Sequence, residues 1–255
     1  MACDLKKLTL DKEASPSKVN FQRARRAENR YARRLRQIAE HIGSLTEAVY
    51  VPSDFDSARK LEGLLKRYAD TLDPWARAVG LRMVTEVEAR ERKQWADISR
   101  AIGKGLRREL ESTPVGGVIR SRMEEQVTLI KSLPLDAAKR VHELTLEAAV
   151  RSTRASEIAQ EIMRSGKVSE SRAMLIARTE VSRTATELTK ARAERVGSTH
   201  FIWRTAGDSD VRPTHKALNG KVFRWDDPPE CDPGYHALPG GIWNCRCWPE
   251  PVISD

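Results

Sequence analysis

The chain has 255 residues, of which 40% are hydrophobic, 32% charged and only 5% aromatic, and its formal net charge is +9. That length supports one large domain or two smaller cores, and the basic excess points to a polyanion among the partners. No uninterrupted apolar run approaches the ~18 residues of a membrane span, and Met1-Ala-Cys-Asp-Leu-Lys-Lys lacks a signal peptide's apolar stretch, so a protein made in a reducing cytoplasm is expected.

Residues 1–200 read as helix almost throughout. Ala24, Ala27, Tyr31, Leu35, Ile38 and Ile42 recur at steps of three and four, a single apolar stripe, and Gly43 stands where a C-terminal cap belongs. Arg23, Arg25, Arg26, Arg30, Arg33, Arg34 and Arg36 cover the rest of that cylinder. A solvated face with ion pairs explains such a run, and so does a surface for DNA phosphate, for which Arg26, Arg30, Arg33 and Arg34 are the candidates. A second helix follows Ser53-Asp54, with Ala58, Leu61, Leu65, Tyr68 and Leu72 inward and Pro74 at a helix start or break. A third carries Trp95, Ile98, Ile102, Leu106 and Leu110 and ends before Pro114. Two more are expected at about 118–132 and 135–164, until Gly166 breaks the pattern. The last, about 170–196, sets Met174, Ala177, Val181, Ala185 and Leu188 on one side and is capped by Gly197.

Beyond Gly197 the chemistry changes. Residues 201–255 hold 6 Lys/Arg against 8 Asp/Glu, a net −2, so residues 1–200 carry +11. Phe201-Ile-Trp-Arg-Thr and Lys221-Val-Phe-Arg-Trp are β-prone, Asp208-Ser-Asp offers a turn, and the many prolines and glycines after Asp226 forbid long elements. The expected fold is mainly α: an elongated bundle of helical hairpins, then a small, loop-rich α+β C-terminal module. Three segments follow: a basic helical region (1–134), helices leading into the module (135–197), and an aromatic Cys/His-containing module (198–255).

So small a module needs a staple or a partner. Cys231, Cys245, Cys247 and His215, with His236 in reserve, suit one structural zinc, since closed Cys/His sites are structural rather than catalytic. The plain alternative is reduced, buried cysteines beside a hydrogen-bonded histidine; a late Cys231–Cys245 disulfide is a third use.

The order Ala177-Arg178-Thr179-Glu180, then Trp203 and Thr205, Asp210-x-Arg212-x-x-His215-x-x-Leu218-x-Gly220 and finally Asn244-Cys245-Arg246-Cys247 resembles the phage head morphogenesis family, the minor head proteins that include the Mu F protein. The resemblance covers roughly residues 135–250, and Cys231 and His236 fall outside its pattern. It implies a virion protein at the portal vertex or head interior, in the host cytoplasm during assembly, whose partners are portal or major capsid protein and packaged DNA. Arg178, Glu180, Trp203, Asp210, Arg212 and Asn244 are its structural motif residues, and no catalysis is expected. The alternative is a nuclease-like, phosphodiester-cleaving enzyme using Asp210, Arg212 and His215, with Glu180 beside them. A zinc-dependent DNA-binding regulator lacks its recognition helix, since none is expected after Cys247.

Overall fold

A computed structural model describes residues 16–52, 54–102, 114–150 and 155–253, without the side chains of 16–24, 98–102, 149–150 and 155–156. The protein is mainly α, with a small C-terminal module of short antiparallel strands. Its helices are α1 (Pro16–Val49), α2 (Phe55–Thr71), α3 (Asp73–Ile102), α4 (Gly116–Val150), α5 (Ala155–Met163), α6 (Ser165–Arg195) and α7 (Pro213–Leu218). Its strands are β1 (His200–Thr205), β2 (Val222–Arg224), β3 (Glu230–Asp232), β4 (Tyr235–His236) and β5 (Cys247–Val252). Residues 29–82 and 123–177 form one compact unit; residues up to 28, 83–122 and 178 onward form the other.

Every regular element among the described residues of the first unit is a helix. Tyr31, Leu35, Ile38 and Ile42 of the α1 stripe are buried, as are Ala58, Leu61, Leu65 and Leu72 of α2 and at its C-cap. Asp54 caps α2 by accepting from Asp56 N at 3.0 Å, and Pro74 falls in the first turn of α3, where its missing N–H costs nothing. Two expectations need correction. Gly43 is no cap, because α1 runs on to Val49; it lies where a Cβ built on Gly166 would come within 2.8 Å of its Cα. Only glycine permits so close a backbone approach. Pro134 does not divide α4, which is continuous from 116 to 150. Ile130 and Leu133 before it and Ala137, Ala138 and Val141 after it are all buried, and that packing outweighs one lost backbone bond. Tyr31 Oη donates to Gln126 Oε1 at 2.9 Å, satisfying two polar groups in the interior. The expected positions Ala24, Ile98, Ile102, Leu106 and Leu110, and Cys3, lie outside the described side chains.

The second unit holds the module. Gly197, at φ +80, ends α6, and Ser198 N donates back to Ala193 O at 2.9 Å, the bond pattern of a glycine-terminated helix. β1 is the central strand of three, antiparallel to β2 (Phe201↔Phe223) and to β5 (Thr205↔Cys247). β5 carries Pro249 and Pro251, which its position at the sheet edge tolerates. β3 and β4 form a hairpin across Gly234, φ +76. Phe201, Trp203, Val211, Trp225 and the three cysteines pack into one core with Trp95 of α3 and Ala193 of α6, so the module leans on helices for much of its apolar burial. That contact supplies part of what so short a module cannot supply alone.

A candidate metal centre clasped to a helix

The prolines and glycines that forbid long elements in the module also fix where its side chains go. Pro213 starts α7, a helix of six residues whose buried member is His215. Its ring sits edge-on to Trp203, centroids 5.4 Å apart. Asn244 is the one described non-glycine residue with positive φ, +57, a conformation asparagine tolerates better than most. This left-handed turn delivers Cys245 and Cys247 to the same place.

The result is a group of three buried donors, His215, Cys245 and Cys247, whose ligand atoms lie within 4.8 Å of one another. His215 Nδ1 is 3.5 Å from Cys245 Sγ and 3.4 Å from Cys247 Sγ. The Cys247 thiol hydrogen-bonds to Cys245 and, with His215, draws the Cys245 thiol down to about 5; the same bond and burial push Cys247 up. Gly240 N also donates to Cys245 Sγ, at 3.3 Å. The other imidazole nitrogen, Nε2, is buried without a hydrogen-bond partner and lies 3.6 Å from Asp232 Oδ1. Asp232 is held there by Thr214 Oγ1, which donates to it at 3.0 Å, and by Arg212, whose Nη1 is 3.5 Å from Oδ2. A carboxylate behind a ligating histidine is a recurrent arrangement in metal sites.

Of the four donors expected from the sequence, the structure brings three together. Cys231 is buried in the same core, but its Sγ donates to the Tyr235 carbonyl at 3.4 Å and stands outside the group; burial pushes its thiol up. His236 is exposed, its Nδ1 3.0 Å from Pro228 O.

The remaining motif residues bind one another. Arg178 Nη1 donates to Asn244 Oδ1 at 2.6 Å, and Asn244 N donates to Thr179 Oγ1 at 3.1 Å, so the Asn-Cys-Arg-Cys turn is clasped to α6. Next along α6, Glu180 is fully buried and accepts from Arg122 through one oxygen and from Arg183 through the other, the latter at 3.1 Å. Gly240, φ +86, lies so close to α6 that a Cβ there would be 2.7 Å from both Ser182 Oγ and Thr186 Oγ1. Arg246 joins the turn before α7, bonding Asp210 and, at 2.6 Å, Asp208.

The residues considered as a nuclease centre therefore part company. Asp210 pairs with Arg246; Arg212 serves Asp232 and, at 2.9 Å, the Trp243 carbonyl; His215 faces two thiols; Glu180 is taken by two arginines. Asp232, Arg122 and Gly240 went unnoticed in the sequence. Asp232 adjoins a nominated cysteine and could have been considered, whereas nothing in the sequence links Arg122 to a carboxylate 58 residues away.

On α1, Arg26, Arg30, Arg33 and Arg34 are all exposed, and Arg26, Arg33 and Arg34 form no ion pair among the described residues. Arg36, by contrast, reaches Glu170 at 3.2 Å.

The family described as Phage Mu protein F like protein matches residues 139–249. An uncharacterized protein of Haemophilus influenzae (strain ATCC 51907 / DSM 11121 / KW20 / Rd) is 35% identical over 129 residues, which are 51% of this chain and 28% of that protein. The chain thus covers less than a third of that relative's length. No solved structure matches.

Proposed function

We propose that the protein is a minor head protein of a tailed bacteriophage, because residues 139–249 match the family described as Phage Mu protein F like protein. In this reading it acts in head morphogenesis, beside the portal or inside the head, and touches portal or major capsid protein on one side and packaged DNA on the other. The observation that supports an assembly role is the use of the family motif. Arg178, Thr179, Glu180, Asn244 and Arg246 bond one another, their neighbours on α6 and the turn before α7, and so hold the module to α6 and to its own turn. A rigidly mounted module is what a docking part requires.

The exposed arginines of α1 are the proposed DNA contact. Arg26, Arg30, Arg33 and Arg34 have the charge density for counterion release from a duplex.

The three-donor group is proposed to hold a structural zinc. With Zn–S near 2.3 Å and Zn–N near 2.0–2.1 Å, the sulfur-to-nitrogen edge of a tetrahedral site is about 3.6 Å. The Nδ1–Sγ separations of 3.5 and 3.4 Å fit that edge, and Asp232 is placed to fix the histidine tautomer. A metal there would hold α7 to the start of β5; Cys231, buried in the same core, is the proposed fourth ligand, for which its thiol would have to leave the Tyr235 carbonyl.

Electron microscopy of intact heads from the phage that encodes this chain tests the central reading. Density for the protein at the portal vertex or inner head is expected. Its absence from purified heads that package DNA normally would refute a virion role.

A further inference from the structure

A second candidate site adjoins the Asn-Cys-Arg-Cys turn, whose Cys245, Arg246 and Cys247 are among its lining residues. A cleft there is floored by Val181, Ala185, Trp248 and Pro249, and four guanidinium groups line it: Arg25 of α1, Arg90 of α3, Arg178 of α6 and Arg246. Two carboxylates, Glu28 and Glu91, face the same space.

Both carboxylates are already committed. Glu28 accepts from Arg178 Nε at 3.1 Å; Glu91 accepts from Arg90 Nη2 with one oxygen and from Thr189 Oγ1, at 2.8 Å, with the other. Arg246 is occupied by Asp208 and Asp210. Arg90 is not satisfied by this arrangement: its Nε and Nη1 are buried and have no hydrogen-bond partner. A guanidinium is always charged and carries only donors, so two such nitrogens removed from water demand an acceptor. Arg25 stands exposed at the cleft and forms no ion pair among the described residues. The cleft therefore has an excess of cationic donors over acceptors.

We propose that this cleft is a binding site for a phosphate group. Oxyanions are the ligands that answer unpaired guanidinium donors. A phosphate suits this set because Arg25 and Arg90 reach the same cleft from two different helices, α1 and α3; a tetrahedral anion presents oxygens in several directions, while a carboxylate presents two in one plane. The apolar floor of Val181, Ala185 and Pro249 sheds water from that contact and strengthens it. The phosphate can come from free inorganic phosphate or from a nucleic-acid end.

Calorimetric titration of the full chain with inorganic phosphate, against chloride at matched ionic strength, tests the site. One saturable phosphate site is expected, with affinity lowered at least about tenfold by Arg90→Gln, the size expected for losing one charge-assisted bond. Arg25→Gln, at an exposed position that leaves the fold intact, should also weaken binding, and Lys60→Gln, at an exposed position on α2, should not. Two oligonucleotide arms identify the source: preference for a 5′-phosphorylated strand over its dephosphorylated twin assigns a nucleic-acid end, and equal binding of the two assigns free phosphate. Phosphate that binds no better than chloride, or affinity unchanged in both Arg90→Gln and Arg25→Gln, overturns the proposal.

Discussion

Gly240→Ala probes the clasp more directly than any change at a cysteine, because it alters shape without touching a donor atom. Two costs add. The backbone at φ +86 costs an L-residue about 1–2 kcal/mol. The new Cβ, 2.7 Å from Ser182 Oγ and Thr186 Oγ1 and 3.1 Å from the Cys247 carbonyl oxygen, must then displace something. Thr186 cannot yield without losing its 2.7 Å bond to Pro239 O. That bond is worth about 0.5–1.5 kcal/mol net, and overpacking adds about 1–3 kcal/mol. The expected destabilisation is about 3–6 kcal/mol, summed from those three contributions. Gly207→Ala is the control: its φ is +72 but no atom lies within 4 Å of the added Cβ, so only the backbone cost of about 1–2 kcal/mol applies. Urea unfolding followed by tryptophan fluorescence reports the difference, since Trp203 and Trp225 are buried in this core. If the two variants lose equal stability, the loop does not press on α6 as described and the clasp argument fails.

Other consequences are as direct. Purified protein should carry about one zinc per chain, lost on chelation and in Cys245→Ser and Cys247→Ser but kept in Cys3→Ser; a metal-free protein with an ordered module would leave the cysteines as packing groups. Because protons compete with the metal for thiolate and imidazole, zinc should be released as pH falls from 7 towards 5, and metal retained at full occupancy throughout that range would contradict the donor set. Arg122→Met should cost about 3–5 kcal/mol, since it strips one partner from a carboxylate with no exposure, and Arg122→Met with Glu180→Leu should recover much of the loss. Replacing Arg26, Arg30, Arg33 and Arg34 with Gln should weaken duplex binding and flatten its log–log salt dependence by up to roughly 4 units; an unchanged slope would make the stripe a solvated face.

Periodicity was enough to read the helices. Tyr31, Leu35, Ile38 and Ile42, and Ala58, Leu61 and Leu65, are buried where their spacing places them, because one helical face meeting a core imposes that pattern. Helix ends were harder. Gly43 and Pro134 carry strong local signals for a stop, yet both lie inside helices: α1 runs past Gly43 to Val49, and burial on both sides carries α4 through the proline. At the candidate site, residue type named His215, Cys245 and Cys247, because few side chains bind soft metals. That the Cys231 thiol bonds the Tyr235 carbonyl depends on the β3–β4 hairpin, and strands of three and two residues leave almost no periodic trace. The buried pairing of Arg122 with Glu180, and the cleft that gathers Arg25 and Arg90, join residues distant in the chain and were invisible from it.

The glycine pair between α1 and α6 has an unequal tolerance that a mutational library would expose. A methyl on Gly166 would reach 2.8 Å from the Gly43 Cα and 3.2 Å from its N, both backbone atoms that cannot swing aside. A methyl on Gly43 would meet the Gly166 Cα at 3.7 Å, an ordinary contact, and would remove a flexible residue from a helix interior, a gain of about 0.5–1 kcal/mol. Alanine should therefore be enriched at position 43 and purged at position 166 under selection for stability, although each glycine sees the same neighbour. Sequence drift in this unit is then free to proceed from one side of the crossing only.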